Sequence, residues 1–186
     1  MAARFILASA SPRRRELLAR VGLHPEVAPT HVDESPTHAE EPAAEYVVRV
    51  AEAKARASGS KLAVLAADTV VALDGRPLGK PESPADAEAM LGRLSGRWHD
   101  VHTAVALRHA GRLRSVRVDT QVRFRSLDAI EIASYVETGE PLDKAGAYGI
   151  QGLGGALVAE LRGSYTNVIG LPLEETLRLL NEEGLR

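Results

Sequence analysis

Asp68 stands in LAVLAADTVVAL (residues 62–73), a run otherwise apolar and rich in β-branched residues, which reads as a buried strand. An unpaired carboxylate in such a place costs several kcal/mol, so a chain keeps one only beside a cation or a proton partner. Lys80, Lys54, Arg13 and Arg14 are candidate cations, and Glu34 is a candidate companion ligand for a metal. A carboxylate facing cations across a pocket suits chemistry on a phosphorylated substrate. The alternative is that Asp68 ends one strand and caps the next turn. The run by itself leaves both open.

Ser9-Ala10-Ser11-Pro12-Arg13-Arg14 has small hydroxyl residues, then two arginines at a helix start. Free N–H groups, the positive helix end and guanidinium forks attract phosphate oxygens. Taken alone, a capped surface helix with solvated arginines is the better reading. GxxxxGK[ST] is absent, so this is no Walker loop. His31-Val32-Asp33-Glu34 lies in a long polar loop, and Glu34 with Asp68 would suit Mg²⁺, which takes oxygen ligands and keeps several waters. Most acidic loop pairs are simply solvated. Lys80 follows a hairpin that could return it toward Asp68. Gln151, in a glycine-rich stretch, has an amide that both donates and accepts. Histidine spacing shows no HExxH, so none is read as a zinc ligand. His99 and His102 fall on opposite faces of one strand and read as structural.

These side chains need elements to hold them. A strand over residues 4–8 leads into a helix from Pro12 to about Val21, with Ser11 as cap and Gly22 as stop. A second strand is expected at 26–28 and a loop at 29–41. Residues 42–58 form an amphipathic helix: Glu45, Arg49, Glu52 and Arg56 share one face, Val47, Val50 and Ala51 the other. Lys54 falls on the apolar face, where a lysine usually snorkels. After Asp68 come a hairpin at Asp74-Gly75, a helix from Ser83, and strands at 98–107 and 113–124. A helix over 130–138 follows, capped by Ser126, then a strand at 156–161 and a helix at 172–183. Hairpins and crossovers both occur, so a mixed sheet is expected.

The 186 residues suit one domain, or one of two lobes. A net charge of −2 supplies no basic field for a polynucleotide, and no stretch is apolar enough for a membrane span. The absence of cysteine excludes disulfides and a thiolate nucleophile. A cytoplasmic location is the expectation.

SASPRRRELL (9–18), VDE (32–34), AADTVVALDGRPLGKP (66–81) and LDKAGAYGIQG (142–152) together resemble the Maf family of nucleoside triphosphate pyrophosphatases. LSGRWHDVHTAVAL from Leu94 and VIGLP from Val168 extend the resemblance to essentially the whole chain. It implies a single α/β domain over residues 1–186, similar to inosine triphosphate pyrophosphatases. That fold has a mixed twisted sheet with flanking helices and two lobes around a cleft. The implied reaction turns a nucleoside triphosphate into the monophosphate and pyrophosphate with a divalent metal cation, Mg or Mn. By motif, Asp68 is the proton acceptor and, with Glu34, a metal ligand. Arg13, Thr69 and Gln151 match positions tied to base selectivity. Ser9, Arg14, Lys54 and Lys80 match substrate and phosphate contacts, which gives the lysine on the apolar helix face a reason to be there. Arg, Thr and Gln at the selectivity positions resemble the dTTP/UTP branch, whereas Trp, Gln and Glu mark enzymes for 7-methyl-GTP. The resemblance further implies a homodimer. Two rivals stand beside this reading: a nucleotide-binding regulator of cell division and septum formation with little catalysis, and a house-cleaning hydrolase of modified pyrimidine nucleotides.

Overall fold

The structure, a computed structural model, describes residues 5–38 and 40–186; Arg4, expected in the first strand, lies outside them. Three short or medium elements lead in: β1 (Phe5–Leu7), α1 (Pro12–Arg20) and β2 (Glu26–Val27). Next come α2 (Ala43–Ala57), β3 (Ala63–Leu73), β4 (Arg76–Leu78) and α3 (Pro84–Leu94). β5 (Trp98–His109), β6 (Arg112–Phe124) and α4 (Ala129–Glu137) follow. After short 3-10 turns between residues 140 and 157, the chain ends with β7 (Val158–Arg162), α5 (Tyr165–Ile169) and α6 (Leu173–Glu182).

One seven-stranded sheet has the order β2-β1-β3-β5-β6-β7, with β4 paired to the far end of β3. β2, β1 and β3 run parallel and the other pairings are antiparallel, so the sheet is mixed, as expected. The β3–β4 hairpin turns at Asp74 and Gly75, both with positive φ, the backbone demanded by a two-residue turn. Pro77 has no N–H to give and sits opposite Ala72 on the edge strand, where it is tolerated.

Alternation along β3 sorts its side chains onto two faces. Val64, Ala66, Val70 and Ala72 pack under Val47, Ala51 and Ala55 of α2, together with Ala104 and Ala106 of β5. So many alanines let the helix lie close to the sheet. The opposite face carries two cores, with the partly buried Ile150 packed against both. Ala63, Leu65 and Ala67 join Leu17, Leu18, Leu171 and Leu180, whereas Val71 and Leu73 join Leu91, Leu94, Phe124 and Tyr148. Thr69 falls between them, which is how one sheet carries two lobes.

Two elements differ from expectation. Asp128, not Ser126, caps α4: its carboxylate accepts from the Glu131 N–H, and Glu131 bonds back to the Asp128 N–H. α5 was not anticipated. It is a single turn capped by Ser164, too short to leave a helical period in the sequence.

Candidate active site

β1 ends early. It pairs with β3 at residues 63–65, and the Ala8 N–H reaches the Leu65 carbonyl before the chain turns off at Ser9. β4 takes up the same edge of β3 only at residues 71–73. Between them β3 has a notch, and strand alternation turns the N–H and C=O groups of Ala67 and Thr69 into it. Asp68 and Thr69 therefore lie in the middle of a sheet and yet at an open edge.

Asp68 points to the α2 face and is 7% exposed. Its Oδ1 lies 2.8 Å from Lys54 Nζ, and the same ammonium lies 2.8 Å from Glu34 Oε1. One lysine thus clamps two carboxylates, which answers the question of what pairs with Asp68. Snorkelling does not describe Lys54: its head turns inward to a charge. Burial still pushes the Asp68 pKa above its ordinary 3.8; Lys54 and Arg14 oppose this without cancelling it, and Glu34 adds to it. Tyr46, also on α2, feels the same carboxylates: burial, then Asp68 and Glu34, push its phenol up to about 12.

Thr69 points to the other face. There Arg14 is fixed by all three guanidinium nitrogens: Nε donates to the Gly170 carbonyl at 2.8 Å, Nη1 to Ser9 Oγ at 3.0 Å and Nη2 to Thr69 Oγ1 at 3.2 Å. Burial pulls its pKa below the usual guanidinium range; Asp68 opposes this, Arg13 beside it adds to the lowering and Glu34 opposes it. Ser11 caps α1 by position only; its own N–H instead donates to Ser9 Oγ.

The far wall of the notch is a loop. The Gly146 N–H donates to the Gly79 carbonyl, next to Lys80, and a Cβ on Gly146 would come within 2.8 Å of Val71. Arg13 reaches across to Asp143 at 3.9 Å. Gln151 is exposed at the tip of this loop. Glu140 shapes the tip: its carboxylate accepts from the Tyr135 hydroxyl and from the Leu153 and Gly154 N–H groups. Burial raises the Glu140 pKa, but those three donors and the nearby Lys144 charge outweigh it and hold the group below its ordinary 4.5.

The structure thus joins Ser9, Arg14, Glu34, Lys54, Asp68 and Thr69 into one cluster, and sets Arg13, Lys80 and Gln151 on or near the wall opposite. Lys80 and Gln151 are exposed, and among the described residues no hydrogen bond or ion pair ties either side chain to the cluster. A surface groove of about 540 Å³ lies elsewhere, along the outward side of α2 by Arg49, Arg56 and Arg117.

A Maf-like protein family model matches residues 4–183. This chain belongs to the Maf family. Similar Maf relatives include three named dTTP/UTP pyrophosphatase. That of Anaeromyxobacter dehalogenans is 54% identical, over 99% of this chain and 96% of its own. That of Methylobacillus flagellatus is 50% identical, over 98% and 94%. That of Bordetella parapertussis is 53% identical, over 98% and 93%. Among the described residues of this Maf chain, no helix is long and apolar enough to cross a membrane.

Sequence reasoning about this Maf chain missed Glu140 and Tyr135, which shape the Gln151 loop, and Thr103 and Asn167, which lie behind Thr69. Thr103 was detectable as a hydroxyl inside the apolar run of β5. Nothing local marks the others.

Proposed function

We propose that the chain is a nucleoside triphosphate pyrophosphatase acting on dTTP and UTP, with Asp68 as the base. The observation that carries this is the Lys54 clamp: two carboxylates and a lysine gathered at the one unpaired stretch of β3, with Arg14 next to them. Names borne by relatives at 50–54% identity over nearly full length support the substrate class.

In this reading water attacks the α-phosphorus. A new O–P bond forms, the Pα–O–Pβ bond breaks, pyrophosphate departs with the electron pair, and the water's proton passes to Asp68 Oδ. The raised pKa of Asp68 makes it a better proton acceptor than a solvated carboxylate. Arg14 and Ser9 on one wall, with Lys80 on the other, hold phosphate oxygens. Arg13 and Gln151 face the nucleobase, and the Gln151 amide can give to a carbonyl of uracil or thymine.

Glu34 and Asp68 are the residues that would hold a divalent cation. Their oxygens suit a hard ion, and both already converge on one positive charge at Lys54. Mg²⁺ and Mn²⁺ take oxygen ligands and complete their shells with waters and phosphate oxygens. Such an ion supplies charge neutralisation on the phosphates and a more acidic water.

The test is to incubate UTP or dTTP with Mg²⁺ or Mn²⁺ in ¹⁸O-water and separate the products. Monophosphate carrying the label, plus unlabelled pyrophosphate, is expected. Orthophosphate with a diphosphate would reject the assignment, and binding without turnover would favour a regulator.

A further inference from the structure

Behind Thr69 runs a chain of buried polar groups that the proposed chemistry does not use. Thr69 Oγ1 lies 2.9 Å from Thr103 Oγ1, its cross-strand partner, and Thr103 Oγ1 lies 2.9 Å from the Asn167 carbonyl. Thr103 and Asn167 are both 0% exposed. The Asn167 side chain is fixed in turn, its Nδ2 donating to the Val101 carbonyl at 2.9 Å and to Thr120 Oγ1 at 2.8 Å.

Counting protons gives this chain a direction. A hydroxyl has one hydrogen and two acceptor lone pairs. The Asn167 carbonyl can only accept, so Thr103 spends its hydrogen there. Between the two threonines, Thr69 must then be the donor. Thr69 also accepts from Arg14 Nη2, which donates at 3.2 Å. One lone pair is left on Thr69, and the residue is only half-buried at the notch.

We infer that Thr103 is a positioning residue for base selection: by taking the Thr69 proton into a one-way buried chain, it leaves Thr69 able only to accept from the ligand. This rests on the reading of the notch as a pyrimidine nucleotide site. An acceptor there matches the N3–H of uracil and thymine. It opposes cytosine, whose N3 is itself an acceptor, so the same hydroxyl that welcomes one base repels the other. A free threonine hydroxyl would rotate and serve either base.

The test compares UMP and CMP, which keep the base and cannot turn over, by calorimetric titration of the full chain. The wild type should prefer UMP. Thr103→Val keeps the shape, removes the acceptor and frees the Thr69 hydrogen. The UMP-to-CMP affinity ratio should then fall about tenfold, with CMP gaining in absolute affinity. Thr103→Ser should keep the wild-type ratio. If Thr103→Val shows no cooperative melting, Thr103→Cys, whose sulfur accepts weakly, is read in the same way. A wild type without preference overturns the inference, and so does a variant in which both affinities change by a common factor. A wild type that releases no pyrophosphate from UTP or dTTP, but whose UMP-to-CMP ratio still collapses in Thr103→Val, would reject the proposed reaction and leave this inference standing.

Discussion

Asp68 and Thr69 are neighbours in β3, yet their side chains leave the sheet on opposite faces, Asp68 to Lys54 of α2 and Thr69 to Arg14 of α1. The division follows from the two-residue period of a strand. It lets one short stretch place the proposed base on one side and the hydroxyl proposed to select the nucleobase on the other. Because β1 stops before that stretch and β4 begins after it, a ligand can meet both from the edge.

Replacing the proposed base should separate activity from stability. Asp68→Asn is expected to lower kcat by on the order of 10²-fold or more, with no loss in Tm. The fold already holds this carboxylate less comfortably than water does, since burial raises its pKa. Turnover within a few-fold of wild type would show that another group takes the proton.

The clamp should be visible in the pH–rate profile. With Asp68 as the proposed base, only its ionised form accepts the proton, so kcat/KM should fall as pH drops through a pKa that lies above 3.8. Lys54 is a lowering influence on that pKa, so Lys54→Met should move the acid limb to higher pH, apart from any change in the plateau. An unmoved limb would mean that Asp68 is not the group being titrated.

His99 predicts a different window, read in stability. It is buried against Phe124 and Tyr148 with Nε2 2.9 Å from the Tyr148 hydroxyl, and burial lowers its pKa from 6.5 to about 4. The unfolded chain takes up this proton before the folded one. Stability is therefore full above 6.5 and is lost as pH falls toward about 4, at up to about 1.4 kcal/mol per pH unit. His99→Gln should flatten that slope in urea melts across this range. Depressed carboxylates such as Glu140 and the Arg49-bound Glu41 at about 2 contribute at lower pH, losing their stabilisation below 4.5.

Glu140 tests the loop. Glu140→Gln replaces one acceptor oxygen by an amide donor facing N–H and hydroxyl donors, which should cost about 1–3 kcal/mol of stability. The expected kinetic effect is a higher KM for UTP with kcat less affected, because Gln151 is displaced while Asp68 is not. A variant with wild-type KM would show that the Gln151 loop keeps its shape without this anchor.

Much of the site was legible residue by residue. An acid in an apolar run has to be compensated, and Asp68 is; Lys54 on the apolar side of an amphipathic helix has to find a charge or escape, and it finds one. The α4 cap was misplaced because Ser126 and Asp128 are both plausible caps, and only the reciprocal bond with Glu131 decides between them. Glu140 could not be foreseen at all, since its partners are backbone N–H groups of a loop 13 and 14 residues away, and backbone groups carry no residue type.

Sequence alone determined the local matters: where most strands and helices lie, that Asp68 stands in an apolar run that needs a compensating partner if buried, and that arginines and lysines stand near the ends of those elements. Period and residue type govern these over a few residues. Tertiary structure decided which cation meets which acid, where β3 is left unpaired, and which way the Thr69 proton points. Each depends on where distant segments stop and cross, and on a count of donors and acceptors that closes only when Thr103 and Asn167, 34 and 98 positions further along the chain, are packed behind Thr69.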